Sequence, residues 1–86
     1  LASAQAADEL LTLENVKASF VIYESGGKIC ISARSFGAVN VQIIMEKMGG
    51  GGHANIAGAQ FTNSTNELVL IQLKTLLDEM YREGDI

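Results

Sequence analysis

The sequence predicts an α/β domain of the α+β kind, a small two-layer sandwich in which helices pack on a mixed sheet. Three observations support this fold class. Two alternating runs flank a Gly-Gly pair, a short run of small residues resembles a third strand, and two later segments place apolar side chains at helical spacing. Because 86 residues have room for one core, residues 1–86 are expected to be a single domain.

The first elements are a helix and a β-hairpin. A helix is predicted over Ser3–Leu13, since its apolar residues recur at helical spacing. The strands Val16–Glu24 and Ile29–Ser35 then flank Gly26-Gly27, a pair that suits the positive φ angles of a two-residue turn. Alternation assigns to the face away from the core Lys17, Ser19, Val21 and Tyr23 of the first strand and Cys30, Ser32 and Arg34 of the second.

Two helices separated by a strand complete the chain. Asn40 is a suitable N-cap for a helix over Val41–Met48. Ile56–Phe61 is the third strand, and its small side chains would let another layer or a ligand approach closely. Ser64 and Glu67 have the spacing of a capping box, which predicts that the last helix begins there.

Composition restricts the possible partners. The net charge of −4 argues against binding to duplex DNA, which requires a cationic face. No apolar run approaches the ~20 residues of a membrane span, so this segment is expected to make no membrane contact. The single cysteine, Cys30, has no partner for an internal disulfide, which favours a cytoplasmic location, and we expect it to be a small core residue.

The most unusual stretch is Gly49-Gly50-Gly51-Gly52-His53. Gly49 follows a helix, where a left-handed residue is favoured, but the other three glycines call for another reason. Converging loop amides could hold a phosphate, with His53 and Arg34 supplying charge. The loop is not a Walker motif, because it lacks the Gly-Lys-Ser/Thr ending, and the negative end of the preceding helix dipole repels phosphate.

Structural roles remain open for each of these residues. The glycines could form a flexible linker or serve backbone geometry alone, and Arg34 could be a surface ion-pairing residue. Ser32 and Ser35 could be polar residues of a sheet edge, and Asn55 could cap a turn. One histidine, one cysteine and no cluster at metal-ligand spacing indicate no metal site and no catalytic residue in this chain.

A resemblance to a known family adds to this interpretation. The run Ile31-Ser32-Ala33-Arg34-Ser35, then Asn40-Val41, then Gly49–His53 with Ala57-Gly58, resembles the C-terminal DHH-associated domain of DHH-family phosphoesterases. The likeness spans residues 10–77, and the run from Ser32 through Val41–Lys47 is similar in particular to the membrane-anchored cyclic-di-AMP phosphodiesterases of Gram-positive bacteria. In that family the catalytic metals, usually manganese, lie in a preceding Asp-His-His domain, and the domain seen here holds the substrate.

The resemblance implies a role for each matching residue. Gly49 to Gly52 would line the nucleotide side of a cleft, His53 and Arg34 would contact phosphate, and Ser32 or Ser35 would orient Arg34. This chain would be inactive alone, and its partners would be a cyclic dinucleotide or short oligonucleotide and the upstream Asp-His-His domain, on the cytoplasmic side of an anchored parent. Alternatives are the matching domain of a short-oligonucleotide exonuclease and a non-catalytic RNA-binding module. His53 is followed by Ala54-Asn55, where many oligonucleotide-cleaving relatives have proline, so the resemblance leaves the substrate open.

Overall fold

Five antiparallel strands and two helices make up the described part of the chain. The computed structural model describes residues 9–13, 17–37 and 39–86. The sheet has the order β1-β2-β3-β5-β4. In chain order the elements are β1 (Glu9–Leu13), β2 (Ala18–Ser25), β3 (Lys28–Ser35), α1 (Val41–Lys47), β4 (Gly51–Gly52), β5 (Ile56–Phe61) and α2 (Asn66–Arg82).

The prediction of a helix over Ser3–Leu13 is wrong where the structure describes that segment. Residues 9–13 form strand β1, which pairs antiparallel with β2 from Glu9 opposite Ile22 to Leu13 opposite Ala18. Pairing with β1 satisfies backbone groups along an edge of β2 that would otherwise lack partners, and this tertiary gain outweighs a weak helical pattern. Residues 3–8 of the predicted helix lie outside the described residues.

The small two-layer α/β fold is confirmed, but its sheet is antiparallel in every described pair rather than mixed. The helix α1 connects β3 to β4, and those two strands run in the same direction. They are not neighbours, because β5 folds back from β4 and inserts between them, antiparallel to both. A strand–helix–strand connection usually joins parallel neighbouring strands. Here β3 and β4 are parallel in direction, but no hydrogen bonds pair them in the described residues.

The predicted hairpin is confirmed, and it divides the sheet into two faces. Gly26 and Gly27 form the turn with φ angles of 59° and 78°. One face packs on α1 and α2, and its side chains with those of the helices form the core: Ala18, Phe20, Ile22, Ile29, Ile31, Ala33, Val41, Ile44, Met45, Ala57, Ala59, Val69, Leu73, Leu77 and Met80. The opposite face carries no helix within the described part of the chain.

Side-chain caps and glycines define the helix ends. The Asn40 side chain accepts a hydrogen bond from the Ile43 amide at 3.2 Å, which confirms the predicted N-cap of α1. For α2 the predicted Ser64–Glu67 capping box is wrong by one position. Thr65 is the N-cap, and its hydroxyl accepts from the Leu68 amide at 3.1 Å.

Candidate functional site

The open face is the sheet surface opposite the helices, and strand register arranges its side chains in three rows. Directly opposed residues of antiparallel strands point to the same face, and successive rows are about 6.6–6.8 Å apart along a strand. The first row is Ser19, Arg34 and Ile56. The second row is Val21, Ser32, Gly58 and Gly51, and the third row is Tyr23, Cys30 and Gln60.

An open groove of about 610 Å³ lies over the second and third rows. Its side-chain lining comes from Tyr23, Cys30, Ser32 and Gln60, and the loop residues Gly49–Gly51 form its border beside β5. Within the described part of the chain, none of the residues that line the groove is charged. The volume falls inside the range of ordinary small-ligand sites.

Gly50 and Gly52 are required by packing. A Cβ at Gly50 would lie 2.1 Å from the Gly58 carbonyl oxygen and 2.7 Å from the Cα of Ala59. A Cβ at Gly52, where φ is 145°, would lie 2.5 Å from the Cα of Ala57. Both glycines therefore let β4 approach the backbone of β5 more closely than any other residue could.

Gly49 is required by its backbone angle instead of by packing. Its φ is 89°, as the sequence analysis expected for the residue after a helix. The Gly49 amide donates to the Glu46 carbonyl at 3.1 Å and the Gly50 amide donates to the Met45 carbonyl at 2.8 Å. These two bonds form a Schellman motif, which fixes the loop to the end of α1 and occupies the Gly50 amide.

Gly51 is the one of these four glycines that neither packing nor its backbone angle requires. Its φ is not positive, and a Cβ there would meet no heavy atom within 4 Å. It lines the groove and lies opposite Gly58 in the same row as Ser32. Of the four consecutive glycines, Gly51 is thus the one whose missing side chain leaves room at the surface rather than inside the fold.

Arg34 and His53 lie at one end of the open face, and Asn55 lies in the turn beside them. Arg34 is exposed and opposes Ile56 in the register. The His53 amide donates to the Ile56 carbonyl at 2.7 Å, and the Asn55 carbonyl accepts from the Ser35 amide at 3.0 Å. The first bond closes the turn after the glycines, and the second holds this turn against the end of β3; the side chains of His53 and Asn55 are exposed. Asn55 lies opposite Ser35 rather than Arg34, so the register does not bring it to the open face with the other predicted site residues.

Ser35 does not join the other predicted site residues. It alternates with Arg34 along β3, so it points to the core side of the sheet, and it is 8% exposed. Its hydroxyl donates to the Gly37 carbonyl and accepts from the Gly37 amide, each at 3.3 Å. These contacts stabilise the turn after β3, whereas Ser32 lies on the open face with Arg34.

The site predicted from the sequence did not include Tyr23, Gly58 and Gln60, which are among the residues that line the groove. Alternation had already placed Tyr23, Cys30 and Ser32 on the face away from the core, but it gave no reason to include Tyr23 in the site. Identifying Gln60 and Gly58 needs the pairing of β5 with β3, which has no local signal in the sequence. Cys30 is buried as expected, but it lies on the groove face and outside the main core cluster.

The described residues were compared with the ligand set that a manganese ion needs. No group of three or more His, Cys, Asp or Glu side chains converges among them, so they do not fit manganese. Neither described helix is both long enough and apolar enough to cross a membrane.

A two-layer α/β domain with a glycine-bordered groove on its open sheet face defines the structural class. Residues 1–83 match the model of the DHHA1 domain, and the chain belongs to this family.

Three curated relatives are cyclic-di-AMP phosphodiesterases. GdpP of Geobacillus thermodenitrificans is 50% identical over 82 residues, covering 94% of this chain. GdpP of Bacillus subtilis is 46% identical over 82 residues, also 94% of this chain. PdeA of Listeria monocytogenes is 47% identical over 81 residues, or 93% of this chain. In each case the aligned part is only 12% of the relative's length.

Proposed function

We propose that this chain is the substrate-binding domain of a phosphodiesterase that hydrolyses cyclic di-AMP to the linear dinucleotide. The observation that carries the proposal is the register that sets Arg34, Ser32 and Gly51 on adjoining rows of the open face, beside an uncharged groove. The substrate is proposed from the relatives, since three proteins at 46–50% identity are named as cyclic-di-AMP phosphodiesterases.

Charge distribution supports a small phosphate ligand. Arg34 and His53 lie at one end of the open face, where they can make charge-assisted hydrogen bonds to a phosphodiester. The groove beyond them is uncharged, and the whole chain carries −4. A surface that followed many phosphates of a long strand would need more positive charge than this.

Ser32 and Gly51 form the middle of the proposed site. Ser32 is half-buried on the row next to Arg34, so its hydroxyl can donate to a phosphate or sugar oxygen. Gly51 offers a surface without a side chain at the same level, so the backbone of a nucleotide can lie against it. Ser35 is left out of this site, because its hydroxyl is bonded within the turn.

The bond-breaking chemistry is assigned to a part of the parent protein outside this chain. Hydrolysis of a phosphodiester needs an activated water and a means of stabilising the developing charge, and the described residues offer no metal site for either. We expect the 86-residue chain with manganese to show no turnover of cyclic di-AMP. Turnover that survives repurification would refute this division of roles.

Calorimetric titration of the full-length protein that contains this chain tests the proposal. Cyclic di-AMP is expected to bind more tightly than linear di-AMP or a short RNA, and Gly51→Val is expected to abolish that binding. Gly37→Val is the matched control: Gly37 also has no positive φ, its nearest atom to an added Cβ is 3.8 Å away, and it does not line the groove.

Two results would contradict the proposal. Unchanged binding by Gly51→Val would show that no ligand lies against this glycine and would remove the main support for a site on this face. Tighter binding of short RNA than of cyclic di-AMP would instead favour an oligonucleotide exonuclease, and a steep salt dependence without hydrolysis would favour an RNA-binding module.

A further inference from the structure

We infer that the third row of the open face, Tyr23, Cys30 and Gln60, is a subsite for an adenine base, with Gln60 as the residue that distinguishes adenine from guanine. The inference rests on the proposed function, because it assigns the base of the same ligand whose phosphate lies at Arg34 and Ser32.

Spacing along the sheet places a base at this row. The row of Arg34 and the row of Ser32 are about 6.6–6.8 Å apart, and the row of Cys30 lies the same distance further along β3. A phosphate at the charged end therefore puts the sugar of its nucleotide over the middle row. Gly51 and Gly58 carry no side chain in that row, which leaves room for a ribose.

The chemistry of the third row suits a base rather than a second phosphate. The groove contains no charged side chain within the described part of the chain. Tyr23 is half-buried and can present an aromatic surface for stacking, which is favourable for any base. Cys30 lies between Tyr23 and Gln60 in the register and is 5% exposed, so it forms part of the floor.

Gln60 supplies the group that can select one base. Its amide carries a donor and an acceptor side by side, the pattern that pairs with the N6 amino group and N7 of adenine. Guanine presents acceptors at both corresponding positions, so the same amide leaves its own acceptor unpaired there. Among the described residues, neither Gln60 nor Tyr23 uses its side chain in a hydrogen bond within the protein.

The test compares cyclic di-AMP with cyclic di-GMP in calorimetric titrations of the full-length protein. Wild-type protein is expected to prefer cyclic di-AMP, and Gln60→Leu is expected to weaken that ligand about 10–100-fold with a small effect on cyclic di-GMP. Gln60 is exposed, so the variant should fold normally. Gln72→Leu, a change of the same kind at an exposed position of α2, should leave both affinities unchanged.

A second pair of variants tests the stacking surface. Tyr23→Phe keeps the ring and should bind cyclic di-AMP like wild type, whereas Tyr23→Ala should weaken it about tenfold or more. A thermal melt of each variant separates loss of binding from loss of folding. Equal binding by Tyr23→Ala and Tyr23→Phe, with both folded, would refute a base at this row.

The outcomes separate this inference from the proposed function. An unchanged preference in Gln60→Leu, together with lost binding in Gly51→Val, would refute the adenine subsite and leave the phosphate site in place. A wild-type protein that binds neither cyclic dinucleotide would refute the proposed function, and the subsite with it.

Discussion

The four consecutive glycines should respond to alanine in three different ways, although they are chemically identical in sequence. At Gly50 an added Cβ lies 2.1 Å from the Gly58 carbonyl oxygen, whereas ordinary contact begins near 3.4 Å. The two atoms must therefore separate by 3.4 − 2.1 = 1.3 Å. A movement of that size also breaks the 2.8 Å bond from the Gly50 amide to Met45, which anchors the loop to α1.

The expected effect on stability follows from these two losses. Overpacking against backbone atoms costs about 1–3 kcal/mol and the broken hydrogen bond about 1 kcal/mol more, so Gly50→Ala should lower the free energy of unfolding by about 2–4 kcal/mol. Gly52→Ala should have a similar effect, because its Cβ would meet the backbone of β5 at 2.5 and 2.6 Å. Gly49→Ala should cost about 1–2 kcal/mol, because its φ of 89° places an added Cβ in the left-handed region.

Gly51→Ala should go in the opposite direction. Its Cβ enters open space at an unstrained φ, so the substitution should stabilise the chain by about 0.4–1 kcal/mol, because alanine restricts the unfolded state more than glycine does. Urea and thermal unfolding of the 86-residue chain, followed by circular dichroism, measure all four effects. A loss at Gly51 as large as that at Gly50 would refute the claim that Gly51 is free of structural constraint.

Three further substitutions, two of them paired with a control substitution, test the remaining features of the structure. Thr65→Ala should lower the free energy of unfolding by about 1 kcal/mol in urea, since it removes the N-cap of α2. Ser64→Ala should be near neutral. A larger loss for Ser64→Ala than for Thr65→Ala would support the capping box predicted from the sequence. Arg34→Gln should weaken cyclic di-AMP binding by the full-length protein at least tenfold, because it removes the charge that bonds to phosphate. Its melting temperature should change little, because Arg34 is exposed. The control Arg82→Gln should affect neither binding nor activity. His53→Ala should lower the phosphodiesterase rate of the full-length protein far more than its stability. The exposed side chain contributes little to folding, and the backbone amide keeps its bond to Ile56. Equal losses of rate and stability would assign His53 a structural role.

Local patterns in the sequence predict the elements whose causes are local. The hairpin is correct because Gly26 and Gly27 impose the turn and the flanking residues alternate. The predictions of α1 and α2 are correct because the apolar spacing acts within each helix itself, although the N-cap of α2 lies one residue later than predicted. Strand β1 was not predicted, because residues 9–13 form a strand by pairing with β2. The five residues themselves carry no local pattern that indicates this pairing.

The candidate site is predicted less completely, for the same reason. Arg34 and Ser32 could be assigned to one face from alternation alone. The glycine run could be recognised as unusual, but the distinct roles of Gly50 and Gly51 depend on how closely β4 approaches β5. The groove also needs Gln60 beside Cys30, a contact set by a register that joins residues thirty positions apart.

The packing of the loop shows how four consecutive glycines can hold a defined conformation, as the proposed binding surface requires. Gly50 and Gly52 are pressed against β5, and the Schellman motif at Gly49 and Gly50 ties the loop to α1. Gly51 is therefore held between two immobilised neighbours while its own surface stays open. A ligand that binds against Gly51 meets a backbone already in place, so little conformational entropy is lost on binding. If the proposed function is correct, the tetraglycine run is one contact residue between structural glycines, and its entropic cost is borne during folding rather than during binding.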